Sequence, residues 1–137
     1  MTLRNGAGTG GSAVRVPVAD VTLLIEDGVI QANAGVAVGV IPPERPTGST
    51  TIVRTTFDGN GRAIESVVRK LVLDEVVIRN HVDPVSFVVQ AAFSNRVEVE
   101  RSEISDNATG ALAGGSGAMT ITDSTIRDNG SDGHSVG

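Results

Sequence analysis

The chain has 137 residues, of which 39% are hydrophobic and 20% charged, a composition typical of one globular domain. Its net charge is −5, it lacks a basic stripe and it has only three aromatic side chains, which argues against nucleic-acid binding. There is no cysteine, which excludes disulfides and thiolate metal sites, and no apolar run reaches the ~18 residues of a membrane span.

One sequence pattern recurs five times along the chain. Taken in order, the copies centre on the anchors Ile30, Phe57, Ile78, Ile104 and Ile126, which are 27, 21, 26 and 22 residues apart. The fifth residue before each anchor is aliphatic: Ile25, Ile52, Leu73, Val99 and Ile121. The third residue after each anchor is Asn33, Asn60, His81, Asn107 or Asn129. A period in this range predicts stacked structural repeats.

Within each copy, apolar residues alternate with others, as Val97 and Val99 do around Glu98. A period of two indicates a β-strand with one buried face. A second short strand carries the anchor. Because a unit of this size cannot bury its apolar face alone, the copies are expected to stack, with equivalent strands pairing in parallel ~4.8 Å apart.

The segments around the copies predict further elements. Residues 5–16 resemble the tail of a preceding rung, with Asn5 at the turn and Val14 and Val16 in a strand. Residues 39–50 contain three prolines and predict a loop that leaves the stack. The apolar spacing in residues 63–80 fits a strand or a short capping helix, and the β-branched residues favour the strand. Residues 81–95 allow an additional strand pair around Phe87 and Val89.

The segments VEVERSEISDNATG and MTITDSTIRDNGSDG resemble the right-handed parallel β-helix repeats of the pectate lyase-like superfamily, and the resemblance covers about residues 21–137. It implies an all-β fold, a single-stranded right-handed parallel β-helix or solenoid of about five rungs. We expect it to form one domain over residues 1–137 that is part of a longer solenoid. The resemblance also implies a ladder of stacked asparagines at one turn: Asn33, Asn60, Asn107 and Asn129. His81 departs from this ladder.

A charge column supports the same register. The third residue before each anchor alternates in sign along the stack: Asp27, Arg54, Glu75, Arg101 and Asp123. In a parallel stack these residues become neighbours, and opposite charges attract where like charges repel. We interpret the column mainly as a device that fixes the register on a solvated face.

The resemblance also directs attention to acidic residues on the outer face, because β-helix polysaccharide lyases and epimerases bind calcium there. Asp74, Glu98 and Glu100 fall on outward columns of neighbouring rungs, with Arg101 beside them. Carboxylate oxygens of this kind are calcium ligands, so these three form a candidate calcium site. Two observations argue against catalysis: no Lys or Arg is expected in the outward columns, and no aromatic ring is available to stack on a sugar.

Two functions follow. The favoured one is a non-enzymatic scaffold of a secreted or cell-surface protein that contacts polysaccharide or protein. The alternative is a pectate lyase-like lyase or epimerase acting on acidic polysaccharide. We expect no cofactor unless the candidate site binds calcium. The extracellular or cell-surface location rests on the resemblance, since no signal peptide is recognisable. The open ends of such a stack also predict end-to-end self-association, or a longer parent chain, because unpaired strand edges favour further pairing.

Overall fold

The structure is a computed structural model that describes residues 1–4, 12–17, 20–41, 47–83, 87–92, 94, 96–114 and 117–130. The described residues form sixteen β-strands. In chain order these are β1 Thr2–Arg4, β2 Val14–Val16, β3 Thr22–Glu26, β4 Val29–Gln31, β5 Val36–Val40, β6 Ser49–Val53, β7 Thr56–Asp58, β8 Arg62–Ser66, β9 Lys70–Asp74, β10 Val77–Arg79, β11 Val89–Gln90, β12 Arg96–Glu100, β13 Glu103–Ser105, β14 Leu112–Ala113, β15 Ala118–Thr122 and β16 Thr125–Arg127.

The strands form three parallel sheets that wind into a β-solenoid of about four turns. Sheet 1 contains β3, β6, β9, β12 and β15; sheet 2 contains β1, β4, β7, β10, β13 and β16; sheet 3 contains β2, β5, β8, β11 and β14. Each full turn visits the sheets in that order. The predicted all-β solenoid is confirmed, but the count of about five rungs is slightly too high. Within the described residues, four rungs have a strand in all three sheets, since β1 and β2 precede them and β15 and β16 follow.

The strand register follows the repeat. Each anchor lies opposite the next in sheet 2, so that one column contains Leu3, Ile30, Phe57, Ile78, Ile104 and Ile126. Leu3 extends the column beyond the five copies seen in the sequence. Because the register is set at every rung, side chains of one column point to the same side of the sheet wall.

The core is a thin aliphatic stack between the sheets. Sheet 1 contributes its alternate inward residues, sheet 2 its anchors and sheet 3 one column that includes Val38, Ile64 and Val89. Phe57 is the largest of the fully buried side chains. Burial of this apolar surface, at about 25 cal/mol per Å², is the main force that holds the turns together.

Sheet 3 corrects the two-strand repeat unit expected from the sequence. Of the additional strand pair expected around Phe87 and Val89, one strand is present as β11, and it is one member of a sheet that recurs in every full turn. The strands of sheet 3 do not recur at a fixed distance from the anchors, because the segments before and after them differ in length between turns. Residues 84–86, 93 and 95 lie outside the described residues.

Two other segments can now be assigned. Residues 63–80 are strands β8, β9 and β10, so the strand prediction is confirmed and the capping helix is wrong. The loop expected over residues 39–50 is too long at both ends, because Gly39 and Val40 belong to β5 while Ser49 and Thr50 belong to β6. Residues 42–46, with all three prolines, and the Asn5 turn lie outside the described residues.

The corners between sheets 1 and 2 use the left-handed backbone region. All five residues of the charge column have positive φ, between 46° and 53°. A second positive-φ column follows sheet 2: Ala32, Gly59, Asn80, Asp106 and Asp128. Such conformations cost non-glycine residues roughly 1–2 kcal/mol each, so neighbouring contacts must hold them in place.

Side-chain hydroxyls provide part of that support. At the corner after β12, Ser102 Oγ donates to the Glu100 carbonyl at 2.7 Å and accepts from the Val76 amide at 3.0 Å. Ser124 Oγ makes the equivalent contacts one turn later, with the Thr122 carbonyl at 2.8 Å and the Ser102 amide at 3.0 Å. These hydrogen bonds tie each corner to its own strand and to the preceding turn.

Candidate binding surface

The outer face of sheet 1 is the broadest regular surface next to the predicted site residues. Its outward side chains occupy the first, third and fifth positions of each five-residue strand. With five strands at ~4.8 Å spacing, the face spans roughly 20 Å along the stack. We call it the sheet 1 face.

The three acidic residues of the candidate calcium site lie on this face, and the register brings Glu100 opposite Asp74. Glu98 lies opposite Val72, two positions away along the strand. No group of three or more His, Cys, Asp or Glu suited to a metal ion is found within the residues that the structure describes. Calcium binding at these positions stays a prediction.

Each of these carboxylates has a cationic partner. Arg101 donates to Asp74 Oδ2 at 2.6 Å and lies 3.6 Å from Glu100 Oε2. Lys70 Nζ lies 2.9 Å from Glu98 Oε2, and Arg96 pairs with the other oxygen of Glu98. The hydrogen bond from Lys70 is the main cause that lowers the pKa of Glu98. These contacts neutralise the acidic charge that a calcium ion would need.

Lys70 and Arg96 correct the statement that the outward columns contain no Lys or Arg. Both occupy the first outward column, which runs Thr22, Ser49, Lys70, Arg96 and Ala118. The outward positions four and six residues before the anchors contain no Lys or Arg. Reading the alternation one step further back, to the eighth residue before each anchor, would have found this column.

The charge column lies beside the sheet 1 face, at the positive-φ corner. Arg54 Nε donates to Asp27 Oδ1 at 2.6 Å, and its Nη2 donates to Asp27 Oδ2 at 3.0 Å. Arg101 Nε lies 3.6 Å from Glu75 Oε1, which is longer than its contact with Asp74. For Asp123, the described residues show no ion pair. The charge column therefore contains one close ion pair, Arg54 with Asp27, and one longer one, Arg101 with Glu75. The side chain of Arg101 also contacts Asp74 on the sheet 1 face.

The predicted asparagine positions lie at the turn after sheet 2. Asn33 Nδ2 donates to Asn60 Oδ1 at 2.8 Å, and Asn60 Nδ2 donates to the Ile30 carbonyl at 2.9 Å. Two turns on, Asn107 Nδ2 donates to Asn129 Oδ1 at 2.6 Å. The amides thus connect adjacent turns through both side-chain and backbone groups.

His81 lies between these two pairs and is almost fully buried. Its amide donates to Asn107 Oδ1 at 3.0 Å, and its ring Nδ1 lies 3.1 Å from the Asn60 carbonyl oxygen. A carbonyl only accepts, so Nδ1 carries the proton. Burial lowers the pKa of His81 to about 4, against the opposing effects of the Asn60 and Phe57 carbonyls and of Asp58. The ring is therefore neutral at pH 7 and replaces an asparagine rather than acting as a surface base.

The comparisons with known proteins assign no family. The chain matches no protein-family model, and no curated protein or solved structure matches it significantly. Among the described residues there is no helix long and apolar enough to cross a membrane.

Proposed function

We propose that the protein is a non-enzymatic scaffold of the pectate lyase-like β-helix type, secreted or held at a cell surface, whose sheet 1 face contacts polysaccharide or another protein. The observation that carries the proposal is the pairing of the charges on that face. Each of the three outward carboxylates contacts an arginine or lysine: Asp74, Glu98 and Glu100. These ion pairs give the carboxylates a role in stabilising the stack that does not require a metal ion.

The same pairing argues against the lyase alternative. A lyase needs a group that accepts a proton from the substrate, and a protonated arginine cannot do this while it is held against carboxylates. Arg101 contacts three acidic side chains on the face and at the corner: Asp74, Glu75 and Glu100. These contacts hold the Arg101 guanidinium against the stack, which suits a structural role.

The shape of the face suits a flat, extended partner. Its middle column runs Leu24, Thr51, Val72, Glu98 and Thr120, which mixes apolar and hydroxyl groups. Leu24 is 57% exposed. Such a surface offers hydrogen bonds and small apolar contacts at a regular spacing, as the repeating units of a polymer would require.

The test is a binding panel of polygalacturonate, alginate and a neutral β-glucan, measured by affinity electrophoresis together with the ultraviolet absorbance of unsaturated lyase products. We expect binding to at least one polymer without product formation. Thr51→Met, on the sheet 1 face, should weaken that binding, and Thr56→Met, at an outward position of sheet 2, should not. Formation of unsaturated product would support the lyase instead, and equal binding by both variants would place the contact elsewhere.

A further inference from the structure

A groove runs along the edge of sheet 1 where its strands begin, and it has a volume of about 510 Å³. It includes most of the first outward column of the sheet 1 face, and its lining carries three cationic side chains and three hydroxyls. These are Arg69, Lys70, Arg96, Thr22, Thr47 and Ser49. This is a concentration of positive charge in a chain whose net charge is −5.

The register holds these groups in a row. Lys70 lies opposite Ser49 on one side and Arg96 on the other, each one strand away. Arg69 precedes Lys70, and its backbone bonds to both neighbouring turns: its amide donates to the Gly48 carbonyl at 2.9 Å, and its carbonyl accepts from Arg96 at 3.3 Å. Backbone pairing thus sets the positions of the Cα atoms that carry all three cationic side chains.

Gly48 lets the turns approach closely at this edge. A Cβ atom at Gly48 would lie 1.9 Å from the Val21 carbonyl oxygen, so only glycine fits. The Ser49 amide donates to the same carbonyl at 3.0 Å. The groove floor is therefore backbone held in one position, with the cationic side chains above it.

The acidic groups near the groove leave an excess of positive charge. Glu98 pairs with Lys70 and Arg96, and Asp20 accepts a hydrogen bond from Thr47 at 2.9 Å. Arg69 is exposed, and no ion-pair partner for it occurs in the described part of the chain. Three cations against two carboxylates leave one net positive charge. The guanidinium of Arg69 also keeps its donors, which can bind an oxyanion through two parallel hydrogen bonds.

We propose that this groove binds an oxyanion, with Arg69 as the main contact, Lys70 as a supporting charge and the hydroxyls of Ser49 and Thr22 as further donors. The ligand chemistry is an anionic oxygen group, such as sulfate or carboxylate, either free or attached to a polymer. This goes beyond the proposed function, which is argued from the middle column of the sheet 1 face and needs no anion, whereas the groove lies at the edge where the strands begin.

The experiment measures the melting temperature of the full chain during titration with sodium sulfate, with sodium chloride at matched ionic strength as reference. We expect sulfate to raise the melting temperature, since a ligand that binds the folded state stabilises it. Arg69→Gln should weaken the apparent affinity about tenfold, as expected for the loss of a bidentate charged contact. Arg69→Lys should restore part of it.

Arg15→Gln is the matched control, since Arg15 is exposed on sheet 3 and its side chain has no ion pair among the described residues. It should behave as the wild type. Dextran sulfate and neutral dextran separate the two sources of the anion: binding of dextran sulfate alone, without a sulfate effect, supports a polymer-borne group. No response to either sulfate probe, or an equal response in Arg69→Gln, would overturn the proposal. Thr51→Met should leave the sulfate response unchanged, because Thr51 is in the middle outward column and does not line the groove, so this site and the middle-column contact can fail independently.

Discussion

His81 occupies the place of an asparagine, and its ring Nδ1 lies 3.1 Å from the carbonyl oxygen of Asn60 in the preceding turn. The imidazole thereby makes one of the backbone contacts that bind the turns together. Its Nε2 atom is buried and has no hydrogen-bond partner among the described residues. The neutral ring satisfies the Asn60 carbonyl, and protonation would place a charge inside the stack.

The first prediction concerns acid sensitivity. The pKa of His81 is about 4 in the folded protein and 6.5 in its ordinary state, so the unfolded chain takes up the proton first as the pH falls. Stability should therefore decrease between pH 6.5 and pH 4, by about 3 kcal/mol in total, and this loss should level off below pH 4. Urea unfolding at several pH values measures it.

His81→Asn is the matched variant for that prediction, because asparagine occupies the same position in the neighbouring turns. It should remove most of the pH dependence between 6.5 and 4 while leaving the steeper loss at lower pH, where carboxylates such as Asp58 and Glu98 become protonated. The pKa values of both are lowered, Asp58 mainly by its hydrogen bond from Asn80 and Glu98 mainly by that from Lys70. An unchanged slope in His81→Asn would contradict the assignment.

The second prediction concerns the charge column. Arg101→Glu would place a carboxylate among Asp74, Glu75 and Glu100, which Arg101 now contacts. We expect a loss of about 1–2 kcal/mol at low ionic strength, and a smaller loss in salt, because exposed charges are screened. Thermal melts at two salt concentrations measure it, with Arg15→Glu as the control. Equal melting of variant and wild type at low salt would show that these contacts do not stabilise the stack.

The third prediction concerns Thr50, which is fully buried in the inward column between Leu23 and Leu71. Its Oγ1 has no hydrogen-bond partner in the part of the chain that the structure describes. Thr50→Val keeps the shape and removes the buried hydroxyl, so it should stabilise the protein by about 1 kcal/mol or more. Thr51→Val, one residue along on the outer face, should change the unfolding free energy much less. Destabilisation by Thr50→Val would mean that the hydroxyl has a partner.

The fourth prediction concerns calcium. Since Arg101 and Lys70 already pair with Asp74 and Glu98, we expect calcium at about millimolar concentration to leave the melting temperature unchanged. Asp74→Asn provides the comparison. A calcium-dependent rise in the wild type that disappears in Asp74→Asn would restore the calcium site and, with it, the case for a lyase.

The fifth prediction concerns self-association. The last described turn leaves core-column residues exposed: Met119, Ile121 and Ile126 are 40–44% accessible, whereas Val97, Val99 and Ile104 in the turn before are at most 2% accessible. Because β15 is also an edge strand of sheet 1, we expect the average mass in light scattering to rise with protein concentration.

Ile121→Lys should lower that association, because it places a charge in the exposed column. Leu24→Lys removes an exposed apolar side chain from the outer face instead, and it should leave association as it is in the wild type. A constant monomer mass over a wide dilution series would contradict the prediction.

The sequence alone determined the repeat and therefore the register of sheets 1 and 2. The anchors recur, and the residues five before them are aliphatic every time. Both signals can be seen in the sequence. A strand with one buried face alternates apolar and other residues, and a stacked repeat places equivalent residues at recurring positions. These signals were enough to predict the solenoid and to assign residues 63–80 to strands despite their partly helical spacing.

Only the tertiary structure determined sheet 3, the number of turns and the partners of the charged side chains. Sheet 3 follows segments of unequal length, so no fixed spacing reveals it. Arginine and lysine side chains are long enough to reach past the nearest column, and Arg101 contacts Asp74 more closely than Glu75, the neighbour that the register predicts. The groove around Arg69 also depends on how close the turns approach at Gly48, which is a property of the packed stack rather than of any single repeat.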